Sequence, residues 1–173
     1  MPAILIVVLT LLFWVAYWFI RMGGIEHFQE RAKKRKEDAQ RQEVREKARL
    51  APLRAIDDPR DAATILMLLI ARHNGDPTRE RIALIEEKLR TVFGFQREVA
   101  ERMTHARFVA KQIDSFEQAA AVFADLFNRR LTSEERHDLV DMLEDVARNE
   151  LPYEQQIEAI TAFRPKIGLA AAH

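Results

Sequence analysis

Few side chains in this sequence are of types that do chemistry, and their spacing keeps them apart. The two serines, Ser115 and Ser133, each stand where a helix is predicted to start. Hydrogen bonding to the free backbone N–H groups of a first turn accounts for both. His73, His105 and His137 fall at equal intervals, which does not by itself bring two rings together, and no two histidines stand four apart as a helical metal pair would. They are expected on the surface or in loops. With no cysteine, thiolate catalysis, disulfides and cysteine-held zinc or iron–sulfur sites are excluded. No glycine-rich loop that would cradle a phosphate is present. A non-catalytic protein is expected.

The elements that position these residues begin with a run of apolar side chains. From Pro2 to Ile20 no residue is charged. An α-helix rises about 1.5 Å per residue and a bilayer's hydrocarbon core is about 30 Å thick, so about 20 apolar residues span it. A transmembrane anchor is predicted over residues 1–21. Trp14, Tyr17, Trp18 and Arg21 end it, and the aromatic rings suit the membrane–water interface. A cleaved signal peptide would carry a basic start and small residues before the cut; this run has neither. A buried core helix is the other alternative. Lys and Arg are concentrated after the run, so the predicted topology is single-pass, N-terminus outside, C-terminal domain in the cytoplasm.

Residues 22–54 follow as a charged helical stalk or linker. Gly23-Gly24 loosens its start. Opposite charges recur three or four apart, as in Glu43–Lys47, which supports an exposed helix. Lys33, Lys34, Arg35 and Lys36 lie close enough to the predicted span to touch anionic lipid. Over the whole chain of 173 residues, Lys plus Arg number 27 and Asp plus Glu number 27. A chain so balanced lacks the basic excess of a nucleic-acid-binding protein, and none is expected as a partner.

Residues 55–173 read as one all-α domain. Asp58-Pro59 starts the first helix, with an N-cap, a proline at the first position and Asp61 in the first turn. Ala62 to Ala71 is apolar nearly all round, which predicts a helix covered on several sides. Thr78 caps a second helix with Ile82, Ile85, Leu89, Val92 and Phe93 on one face, and Gly94 ends it. A third helix over about 96–111 carries Val99, Met103, Phe108 and Val109 as apolar contacts. A fourth begins near Asp114 or Ser115. Thr132 with Glu135 forms a capping box that opens a fifth, and a sixth carries Ile157, Ile160 and Phe163.

The two ends of this domain look related. Ile70-Ala71-Arg72, Pro77, Ile82, Ile85 and Phe93-Gly94-Phe95 have counterparts in Val146-Ala147-Arg148, Pro152, Ile157, Ile160 and Ile167-Gly168-Leu169, with a one-residue gap in the loop. On these residues the chain resembles the TerB-like family, all-helical domains of tellurite-resistance proteins and of the membrane-anchored co-chaperone DjlA. The family's pattern is an apolar helix, an Ala-Asp-Gly turn with a Thr or Ser cap, an acidic helix start and a Phe/Leu-Gly-Leu ending. The resemblance covers about residues 58–169. The first copy reads Ala71-Arg72-His73-Asn74-Gly75-Asp76-Pro77-Thr78-Arg79-Glu80-Arg81-Ile82, and Leu131-Thr132-Ser133-Glu134-Glu135-Arg136 looks like the start of the later hairpin. The layout is similar to that of the co-chaperone, without the His-Pro-Asp tripeptide of a J domain.

The resemblance implies a bundle of about six helices in two pseudo-repeated halves. It also implies that acids at the two helix-start turns could bind a divalent cation such as calcium, a hard ion that takes several carboxylate oxygens. Here those acids are Asp76, Glu80, Glu150 and Glu154. The family's turn Asp is replaced by Asn74, the second turn lacks glycine, and Arg79 and Arg81 add positive charge where the family is acidic. The expected function is that of a membrane-tethered interaction module at the cytoplasmic face of a bacterial inner membrane, in envelope stress or tellurite resistance, with the bilayer and an unidentified protein as partners. The alternatives are an accessory or assembly subunit of a membrane complex and a divalent-cation sensor.

Overall fold

Side chains cap the starts of four of the six helices between residues 59 and 163. In the computed structural model, Asp58 accepts a hydrogen bond from the Arg60 backbone N–H and starts α1, Pro59–Ala71. Thr78 caps α2, Arg79–Thr91. Helix α3, Val99–Ala110, has no side-chain cap. Ser115 caps α4, Phe116–Arg130. The expected capping box starts α5, Ser133–Arg148: the Glu135 N–H donates to Thr132 Oγ1 and the Thr132 N–H to Glu135 Oε2. Helix α6, Glu154–Phe163, runs into a 3₁₀ turn, Arg164–Ile167, with Pro165 inside it. The structure describes residues 14, 40–41, 48, 50–72, 75–149 and 151–170. Every element assigned among them is helical, so the fold is all-α.

The chain divides into two units, 1–47 and 48–173. In the first, Trp14, Gln40 and Arg41 are described; all three are helical and exposed. The rest of the predicted anchor, including Tyr17, Trp18 and Arg21, lies outside the described residues, as do Lys33, Lys34, Arg35 and Lys36. Among the described residues no helix is long and apolar enough to cross a membrane.

In the second unit α1 is central. Every residue from Ala62 to Ala71 is buried, and α2, α3, α4 and α5 all pack against it. Thr64, the one polar residue of this run, donates its hydroxyl to the Arg60 carbonyl at 2.7 Å and so enters the core satisfied. Leu53 is fully buried beside this core, and Leu50 and Ile56 pack on it. Helix α6 and the 3₁₀ turn close the other side through Phe163, which meets Phe116 at 5.8 Å and Phe127 at 6.1 Å between ring centres, both edge-on.

Two side chains expected in the apolar face are outside it. Phe108 is 65% exposed. The buried face of α3 is Val99, Met103, Ala106, Val109 and Ala110; at about 100° per residue Phe108 falls opposite Val99. Val92 is 52% exposed because α2 ends at Thr91, ahead of the glycine. The chain then turns through Gly94 (φ 72°), and Phe95 enters the core in place of Val92. Two guanidinium groups lie over the Phe95 ring, those of Arg102 at 3.9 Å and Arg60 at 4.5 Å from its centre. Arg102 also bonds Asp61 at 2.7 Å, Asp58 at 3.2 Å and Glu98 at 3.1 Å, which pins the start of α3 to the start of α1.

The hairpins α1–α2 and α5–α6 bury corresponding positions. Arg81 and Gln156 are each buried to 1% exposure, and Ile85 and Ile160 to 0%. Ile82 and Ile157 are both half-buried. Gly94 and Gly168 share φ 72°, and the residue after each, Phe95 and Leu169, is buried.

Candidate functional site

Arg81 sets the geometry of the region around the first helix-start turn. It falls in register with Ile85 and Leu89, four and eight residues on, and so points inward with them. Its Nη1 donates to the Ala71 carbonyl at 2.9 Å and its Nη2 to the Ala147 carbonyl at 3.3 Å. Ala71 ends α1, and Ala147 is the penultimate residue of α5. A helix C-terminus carries a partial negative charge of about half an electron and free carbonyls, so one guanidinium between two such ends satisfies both. Sequence reasoning counted Arg81 only as a charge near the turn; the i, i+4, i+8 spacing with two apolar residues was the signal of its burial.

With α2 held in this way, a cleft of about 500 Å³ opens between the end of α1, the turn into α2 and the last turn of α3. Leu68, Pro77, Ile82 and Ala110 supply its apolar lining. Among the described residues, four cations, Arg72, Arg79, Arg107 and Lys111, line it against a single carboxylate, Asp76. Arg72 is half-buried and donates from Nη1 to the Ala110 carbonyl at 2.6 Å, tying the ends of α1 and α3 together. Arg79, Arg107 and Lys111 are exposed and make no ion pair with a described residue. Elsewhere the pairing is frequent: Lys88 meets Asp145, Arg102 meets Asp61, and Arg148 meets Glu144. A second hollow of about 270 Å³ mixes Arg60 with Glu135 and Asp138 at its rim and has no dominant sign.

The predicted cation ligands are placed differently from one another. Asp76, Glu80 and Glu154 are all exposed, and Glu150 lies outside the described residues. Asp76 faces the four cations of the cleft, a field that favours anions and opposes a hard divalent cation. Among the described residues no group of three or more His, Asp or Glu side chains could hold a metal ion. Glu134 and His137 do have the carboxylate–histidine spacing used on helices for metals, but both are exposed, and the His137 Nδ1 is engaged with the Ser133 carbonyl at 2.8 Å.

The residues of chemical type are dispersed. Ser115 caps α4, Ser133 is the first residue of α5, and His105 is exposed on α3; His73 lies outside the described residues. Two acids are displaced among the described residues: hydrogen bonds from the Thr132 backbone and hydroxyl hold Glu135 below its ordinary value, and the other is Asp58. Burial pushes its pKa up, but hydrogen bonds from the Arg60 side chain and backbone, and the charges of Arg60 and Arg102, outweigh this and hold it below its ordinary 3.8. Asp58 belongs to the Phe95 cluster that fixes α1 on α3 and does not line the basic cleft. Comparison of the chain with protein-family profiles, curated proteins and solved structures returns no match.

Proposed function

We propose that this chain is a membrane-tethered, non-catalytic interaction module of the TerB-like type, facing the cytoplasm from a bacterial inner membrane and serving envelope stress or tellurite resistance. The observation that carries the reading is the basic cleft: a preformed concavity with an apolar lining and cations that no described carboxylate neutralises. Such a surface suits binding. The uncharged run from Pro2 to Ile20 supplies the tether, and the basic residues after it supply the orientation. The shared burial of Arg81 with Gln156 and the shared φ of Gly94 with Gly168 support two pseudo-repeated halves, as the family resemblance implies.

The test uses the full-length chain, affinity-tagged and purified in detergent, beside a variant whose residues 2–20 are replaced by an unrelated apolar span of equal length. The expected result is that the same partner co-purifies with both. Loss of the partner on exchanging the span would place recognition in the anchor and favour an accessory subunit of a membrane complex.

A further inference from the structure

We infer that the cleft between the end of α1, the start of α2 and the last turn of α3 docks an acidic segment of a protein partner, with one apolar side chain of that segment seated against Leu68 and Ile82. This rests on the interaction-module reading above and names the partner's chemistry.

Charge selects the sign of the occupant. Among the described residues, four cations face one carboxylate, and Arg79, Arg107 and Lys111 pair with none of them. Three of the four are arginines, whose planar forks match carboxylates in pairs of parallel hydrogen bonds; a lysine offers only a point charge. Arg72 is already held by the Ala110 carbonyl, so less side-chain freedom is lost when an acid binds. Shape selects a side chain over a bare ion. The lining is mainly apolar, and about 500 Å³ is ample for one large side chain and its flanking backbone. Phe108 is exposed but lines a separate hollow with Ala100, Thr104 and His105, so the apolar contact in the cleft comes from Leu68, Pro77, Ile82 and Ala110. A bilayer surface would meet the cations on a convex or flat face with several exposed apolar side chains. Here they line a concavity, and Phe108 is the one large exposed apolar residue on α3.

The test is a fluorescence-anisotropy titration of the full-length chain in neutral detergent. The probe is a fluorescein-labelled twelve-residue peptide of aspartate pairs alternating with leucine and phenylalanine. Saturable binding that weakens as salt is raised is expected. The double charge reversal Arg79→Glu with Arg107→Glu should weaken it at least about tenfold. Both residues are exposed and ion-paired to no described group, so circular dichroism should be unchanged. Reversal of Arg129 and Arg130, which are exposed at the end of α4, should leave binding within about twofold. Equal loss in both double variants would show attraction without a site and overturn the proposal. So would a chain that ignores the peptide, whether or not it sediments with phosphatidylglycerol vesicles through Arg79 and Arg107. If the peptide fails while the span-exchanged chain still recovers its partner, the cleft is refuted and the tethered module stands.

Discussion

Replacing Arg81 and Gln156 in turn by methionine tests whether corresponding buried polar side chains do opposite things to stability. Arg81→Met keeps an unbranched stem but removes donors 2.9 Å from the Ala71 carbonyl and 3.3 Å from the Ala147 carbonyl. Each carbonyl left without a partner costs about 1–3 kcal/mol, and relief from burying a charge offsets part of that, so a net loss of about 3 kcal/mol is expected. Against the ~5–15 kcal/mol that holds a domain of this size together, the variant still folds but with a clearly lower midpoint. Gln156 is equally buried, but its Nε2 has no hydrogen-bond partner among the described residues. Gln156→Met removes an orphan donor and should be neutral or stabilising by about 1 kcal/mol. The assay is urea unfolding of the full-length chain in detergent, followed by far-ultraviolet circular dichroism. Tryptophan fluorescence would not read the bundle, because both tryptophans, Trp14 and Trp18, precede it. Parallel transition slopes would show that only stability changed. If Arg81→Met is as stable as the parent, the guanidinium's desolvation outweighs its bonds and the bridge between α1 and α5 is not what holds them. If Gln156→Met costs as much as Arg81→Met, the orphan donor is satisfied in solution and the contrast fails.

The two turn glycines give a graded pair under the same assay. Gly94→Ala meets no atom within 4 Å and should lose about 1 kcal/mol, the cost of a left-handed alanine. Gly168→Ala has the same φ and also brings its Cβ to 2.9 Å from Arg136 Nη1, which donates to the Ile167 carbonyl at 2.7 Å; it should lose about 1 kcal/mol more as that bond gives way. Equal losses would mean that Arg136 moves aside freely. Acid dependence tests the cluster around Phe95. Asp58 has a folded pKa below its ordinary 3.8, so its contribution is complete above that value and is lost as pH falls through the lower folded one. Asp58→Asn keeps a competent N-cap and removes the charge. Its stability should lie below the parent's at pH 7 and converge with it near pH 2; a gap that stays constant with pH would assign the loss to capping geometry alone.

Much of the fold was legible in the sequence because it follows from local rules. Thr78, Ser115 and Thr132 are caps wherever a polar oxygen precedes an apolar period, and the structure uses all three. Ala62 to Ala71 had to be central, because a helix apolar on every side has no face to give to water. The burial of Ile85 and Ile160 followed from helical spacing. Phe108 and Val92 were misplaced because hydrophobicity gives a residue's preference but not its angle: Phe108 sits about 180° from Val99, and Val92 lies past the point where α2 stops.

The cleft was not legible, and the reason is physical. Its cations come from the end of α1, the start of α2 and the last turn of α3, separated by stretches of chain that carry compensating acids. Composition sums those charges to zero; only packing brings Lys88, Arg102 and Arg148 into ion pairs and leaves Arg79, Arg107 and Lys111 together without one among the described residues. The same holds for Arg81, which the sequence places near an acidic turn and tertiary structure places between two helix ends. Local propensity thus determined which residues form helices and which helix is buried. Which charges stay unneutralised, and what they face, was decided by how α1, α2, α3 and α5 meet, since an ion pair depends on distance through space and not along the chain.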